Sequence, residues 1–154
     1  MRSVGARVGV SAMALYQHVE DKQALLDGVV GLLLAELPLP DPSLPWEQRM
    51  RSLARAVRDL ARAHPSAIRM LFVRPAVTPD ALRVVDALYG MLLEAGVPES
   101  EVPRLERLLS TAIVGFAISE VAGRFGSGSH WDEEFERDLD DLRGLIERAA
   151  SRTD

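Results

Sequence analysis

Four side chains able to engage a polyanion or a base edge fall between residues 16 and 22: Tyr16, Gln17, His18 and Lys22. A glutamine amide can pair with adenine, and the nearby Met13 and Ala14 can meet a thymine methyl. A lysine is a point charge suited to phosphate rather than to reading a base. Catalytic chemistry is harder to assemble. His18, His64 and His130 are far apart, and His64 stands before Pro65 where a helix must stop. His130 with Asp132, Glu133 and Glu134 has the composition of a cation site, yet the same acids suit the start of a solvated helix, where carboxylates favour the dipole. The absence of cysteine removes disulfides and thiolate metal ligation. No nucleophile elbow, phosphate loop or paired-histidine spacing occurs. The expectation is a protein that is not an enzyme and uses no metal or cofactor.

The elements needed to present residues 11–22 can be read around them. Val4 and Val8 lie one turn apart, and Gly5 permits close helix approach. Gly9 takes a positive φ cheaply at a tight turn, with Val10 expected to plug the angle beyond it. Ser11 is a good N-cap for a short helix to about His18, with Leu15 and Val19 facing inward. Asp21 then caps another helix, whose Leu25, Leu26, Val29, Leu32 and Leu33 form a broad apolar stripe. Two short helices about a glycine turn, followed at once by a third, read as a helix-turn-helix.

Val10-Ser11, Leu15-Tyr16-Gln17-His18-Val19 and Asp21-Lys22-Gln23-Ala24-Leu25-Leu26 together resemble the DNA-binding segment of the TetR family of bacterial regulators. More weakly, the resemblance extends to about residue 125. It implies a DNA-facing set of Arg2, Ser11, Met13, Ala14, Tyr16, Gln17, His18 and Lys22, with Tyr16 and His18 at positions that touch the DNA backbone. It also implies a C-terminal domain that binds a small effector and forms a homodimer, here through residues 103–125 and 131–150. In that family a helix of about four turns precedes the motif, whereas Met1 falls where the second helix would begin. The expected fold is therefore all-α: an incomplete helix-turn-helix module over residues 1–37 joined to a ligand-binding and dimerisation domain over 38–154. The expected function is a ligand-responsive regulator, a repressor released from double-stranded operator DNA by a small hydrophobic molecule. The alternative is a helical dimeric ligand-binding or interaction protein whose DNA binding is impaired by the shortened module. In the tetracycline-binding members, drug and magnesium are held where this chain has Pro38, Leu53, Val57, Leu71 and Arg74, so that complex is not the expected ligand.

Past the motif the chain reads as helices separated by turns. Residues 38–45 hold four prolines in eight positions and mark a linker. Trp46, Met50, Leu53, Val57 and Leu60 recur on one helical face, while Arg49, Arg51, Arg55, Arg58 and Arg62 occupy the other. Thr78 and Pro79 open a helix that stops at Gly96. A very apolar helix over 103–125 must be buried on several sides, with small residues allowing close approach. The last helix repeats Phe135, Leu139, Leu142, Ile146 and Ala149 and carries acids outside. As a group, Met50, Leu53, Val57, Leu60, Met70, Leu71, Phe72, Arg74, Tyr89 and Phe116 can line an apolar ligand site. The net charge of −5 is set by seven acids between Asp132 and Asp141; residues 1–22 are slightly basic, three cations against two acids. No apolar run can span a bilayer and no export signal is visible, so no membrane partner and a cytoplasmic location are expected.

Overall fold

Turn chemistry sets the N-terminal helices. In the computed structural model the description covers residues 2–17, 19–74, 77–126, 128 and 130–152, without the side chains of Arg2, Ala12 and Leu15. Helix α1 (Arg2–Val8) ends at Gly9, whose φ is 77°. The Ser11 hydroxyl accepts from the Ala14 amide at 3.0 Å and opens α2 (Ala12–Tyr16). A carboxylate oxygen of Asp21 accepts from the Ala24 amide at 2.8 Å and opens α3 (Lys22–Ala35). Both caps satisfy amides that a helix start leaves without intrahelical partners. Val10 is 42% exposed and does not plug the turn, and Val8 is 65% exposed.

The remaining described helices are α4 (Trp46–Ala63), α5 (Met70–Val73), α6 (Pro79–Glu94), α7 (Val102–Val121) and α8 (Trp131–Ala150), with a 3-10 turn Glu99–Glu101 leading into α7. The Thr78 hydroxyl caps α6 by accepting from the Ala81 amide at 3.2 Å. Helix α7 is the central element and packs on α4, α5, α6 and α8. Its buried face is Val102, Leu105, Leu109, Ile113 and Ala117.

Helix α3 packs on α6 and α5, and its Val30, Leu33 and Leu34, with the following Leu37, share one core with α4, α6, α7 and α8. Each such burial contributes about 1.5–3 kcal/mol, so α3 is anchored to the body. The division at residue 37 is a joint in the chain across which packing continues. Leu32, read as part of the inward stripe, is 70% exposed. The reason is that α3 is apolar around most of its circumference, and only the arc bearing Val30, Gly31, Leu33 and Leu34 docks. Residues 38–45 likewise lie partly on the body, with Leu39 packed against the core.

The arginine face of α4 is not a solvent face. Arg49 and Arg58 are 9% and 6% exposed. Arg49 pairs with Glu94 of α6. Arg51 and Arg55 pair with Glu136 of α8 at 3.0 and 2.8 Å, and Arg51 also with Asp140. The acids expected on the outside of the last helix are thus partly drawn into a seam against α4.

Candidate functional site

The apolar stripes of α3, α4, α6 and α7 do not close completely against one another. Between them lies a cavity of about 170 Å³, walled by residues such as Val30, Leu53, Val57, Val84, Leu109 and Ile113. Two charged side chains and one hydroxyl reach its lining: Arg74, Glu106 and Ser110. A concave apolar space with a few polar groups is the usual form of a small-molecule site.

Of the ten residues expected to line a ligand site, Met50, Leu53, Val57, Leu71 and Arg74 border this cavity. The other five lie elsewhere. Leu60 is buried in the core one turn beyond Val57, and Met70 and Tyr89 are half-buried against the same core. Phe72 is 48% exposed, with its ring lying over Gly115. Phe116 belongs to an aromatic cluster, with ring centroids 4.9 Å from Phe135 and 5.0 Å from Phe125. Glu106 and Ser110 were missed. Their signal is spacing: they lie one turn apart on the same helix as Leu109 and Ile113, so a polar pair runs down the edge of an otherwise apolar face.

Arg74, just past α5, spans from the cavity wall to α3. Its Nε donates to Asp27 Oδ1 at 2.8 Å, one terminal nitrogen to Asp27 Oδ1 at 2.5 Å and to the Gln23 carbonyl at 3.0 Å, and the other to the Gln23 side chain. A second arginine holds the other end of α3. Arg83 of α6 donates to the carbonyls of Leu34 and Leu37 at 3.0 and 3.1 Å, filling acceptors that a helix end leaves open. Between the two, α3 touches α6 closely, because a Cβ on Gly31 would lie 3.2 Å from the Thr78 hydroxyl.

On the N-terminal module, Met13 and Tyr16 are 76% and 49% exposed, and Gln17 and Lys22 are also exposed. Ala14 is half-buried, and the Ser11 hydroxyl is engaged in its cap. The Arg2 side chain and His18 lie outside the described residues. Val4, Val8 and Val10 add apolar surface to this end of the molecule.

The other concentration of charge, between α4, α7 and α8, has a positioning role. Arg58 forms a two-bond fork to Glu120 at 2.8 and 2.6 Å, and its guanidinium carbon lies 4.8 Å from the Phe135 ring centre and 5.3 Å from that of Phe116. Arg62 and Asp132 complete the cluster. The hydrogen bond from Arg58 holds the Glu120 carboxyl below its ordinary range, against the opposing effect of burial. On the outward side of α7 and α8, Leu108 is 41% exposed beside Thr111 and Ala112, and a shallow groove runs between the helices. Among the described residues no group of His and carboxylates has a metal-holding arrangement, and no helix is long and apolar enough to cross a membrane.

These features define an all-helical, cavity-bearing body that continues through α3 to two short N-terminal helices, α1 and α2, about a glycine turn. A family model described as "Tetracyclin repressor-like, C-terminal domain" matches residues 50–142, and the chain belongs to this TetR family. It is 28% identical over 134 residues to an HTH-type transcriptional regulator of Saccharopolyspora erythraea, an alignment covering 86% of this chain and 55% of the relative. It is 29% identical over 134 residues to the tetracycline repressor protein class A from transposon 1721 of Escherichia coli, covering 82% and 60%. The chain therefore spans little more than half the length of these relatives. The structure of ActR of Streptomyces coelicolor in complex with actinorhodin shares the fold, with TM-score 0.85, 20% identity, and 99% and 88% of the two chains covered.

Proposed function

We propose that this chain is a ligand-responsive transcription regulator, a repressor that leaves its operator when a small hydrophobic molecule fills the cavity between α3, α4, α6 and α7. One observation carries this reading. The helix that follows the helix-turn-helix, α3, is itself a wall of the cavity through Val30 and Leu34. A ligand there has direct purchase on the element that orients the DNA-facing residues. Family membership and the regulatory names of the relatives support the reading. Met13, Ala14 and Gln17 are assigned to base edges, and Tyr16, His18 and Lys22 to the backbone, with Arg2 supporting them and Ser11 capping α2, which carries Met13, Ala14 and Tyr16. A homodimer through the outward faces of α7 and α8 would present two such modules to a two-fold site.

The test is an anisotropy titration of labelled duplexes from the DNA flanking its own gene, with native mass spectrometry of the purified protein. A dimer mass, a retained small molecule and ligand-sensitive DNA binding are expected. A monomer without ligand and without DNA affinity would overturn the reading.

A further inference from the structure

The polar part of the cavity wall has one sense. Glu106 and Ser110 line the cavity one turn apart on α7, and both are half-buried. Among the described residues no cation pairs with the Glu106 carboxylate: Arg104 is held by Glu101 at 2.6 Å, and Arg107 is exposed and outside the lining. The Ser110 hydroxyl donates to the Arg107 carbonyl at 3.3 Å, so what it offers a ligand is its lone pairs. Arg74 does not balance them. Its guanidinium donates to Asp27 and Gln23, which lie outside the lining, and the Asp27 carboxylate at 2.5 Å offsets its charge. The wall therefore presents two acceptors and an uncompensated negative charge. Resting on the effector-cavity reading above, we propose that the site takes apolar molecules bearing a protonated amine, with Glu106 as the anion that holds it and Ser110 as a second acceptor.

The partial exposure of Glu106 decides how such a ligand sits. A buried ammonium without a partner loses far more hydration than it regains. Beside a half-buried carboxylate it keeps water on its outer side, while its apolar body fills the space against Leu53, Val57 and Ile113. A neutral hydroxyl also donates to a carboxylate. An ammonium adds the attraction of opposite charges, which water screens less at a half-buried site than in bulk. An acid meets the Glu106 charge instead, with no uncommitted cation in the lining to offset it.

Purified wild-type protein is titrated by calorimetry at neutral pH with 2-naphthylmethylamine, 2-naphthalenemethanol and 2-naphthoate, three probes with one ring system. The amine is expected to bind about tenfold tighter than the alcohol, and the acid more weakly than the alcohol. Glu106→Gln, which keeps the shape and removes the charge, should bring amine and alcohol within about twofold of each other. Ser110→Ala should weaken the amine about threefold and leave it preferred over the acid. Glu133→Gln removes the same charge from the exposed side of α8 and should leave amine binding unchanged, which separates the site from attraction to the net charge of −5. Should Glu106→Gln fail to fold, the wild-type series and Ser110→Ala still decide. Equal binding of amine and alcohol by the wild type, an acid that binds tightest, or an amine preference that survives Glu106→Gln would overturn the proposal and leave the cavity reading intact. Binding of none of the three would overturn the cavity reading, and this proposal with it.

Discussion

Arg58 and Glu120 show how much of the packing depends on one pair. Both side chains are nearly enclosed, 7% and 14% exposed, and each is the other's main partner. Removing one member of a buried pair strands the other, so Arg58→Ala is expected to destabilise the protein by about 3 kcal/mol, measured by urea unfolding. Glu120→Gln should cost less, because Asp132 still faces Arg58. The pair also sets a pH limit. Hydrogen bonds from Arg58 to Glu120 and from Arg55 to Glu136 hold both carboxyls below their ordinary value of 4.5. A carboxyl lowered by folding contributes stability that is present above 4.5 and lost as pH falls through the folded value. The urea midpoint should therefore hold from neutral pH to about 4.5 and then drop. The double variant Glu120→Gln, Glu136→Gln should drop less steeply from a lower plateau. Caps and turn residues were legible in the sequence because their chemistry is local: Gly9, Ser11, Asp21 and Thr78 each do what their type dictates. The ion pairs were not, since Arg58 and Glu120 lie 62 positions apart and only packing joins them.

Among the elements, α3 is the joint. It is capped by Asp21, held near its start by Arg74 and at its end by Arg83, and pressed on α6 at Gly31. Gly31→Val would force α3 away from Thr78, at a cost of about 1–3 kcal/mol by thermal melting. Asp21→Ala should cost about 1 kcal/mol and speed amide exchange at the start of α3 specifically. Helical periodicity predicted the buried stripe of α4 and the last helix well, because a period of 3.6 leaves one face to the core. It failed for Leu32 on α3. A helix apolar on nearly every side carries no phase, so the face that docks is chosen by α6. The same limit bears on the ligand set: Met50, Leu53 and Val57 border the cavity, and an apolar stripe cannot tell them from Leu60, one turn further into solid packing.

For the molecule as a whole, the order of helices and the class of fold were readable from turns and periodicity, whereas the cavity is a property of how four stripes fail to meet. Assembly belongs to this scale too. If the outward faces of α7 and α8 join two copies, Ala112→Arg would insert a charge where helices must approach closely. Light scattering should then report a monomer whose helical circular dichroism is unchanged. The cavity has a consequence of its own. Side chains that face the cavity, Leu53, Val57 and Ile113 among them, have fewer packing partners on that side than a solid core provides. Anything that occupies it hardens the fold, whether or not a promoter is present, and a ligand at about a hundred times its Kd adds about 2.7 kcal/mol. Resistance to heat therefore becomes a readout of chemical identity: a library of small molecules can be sorted by melting curve alone, with no DNA in the experiment.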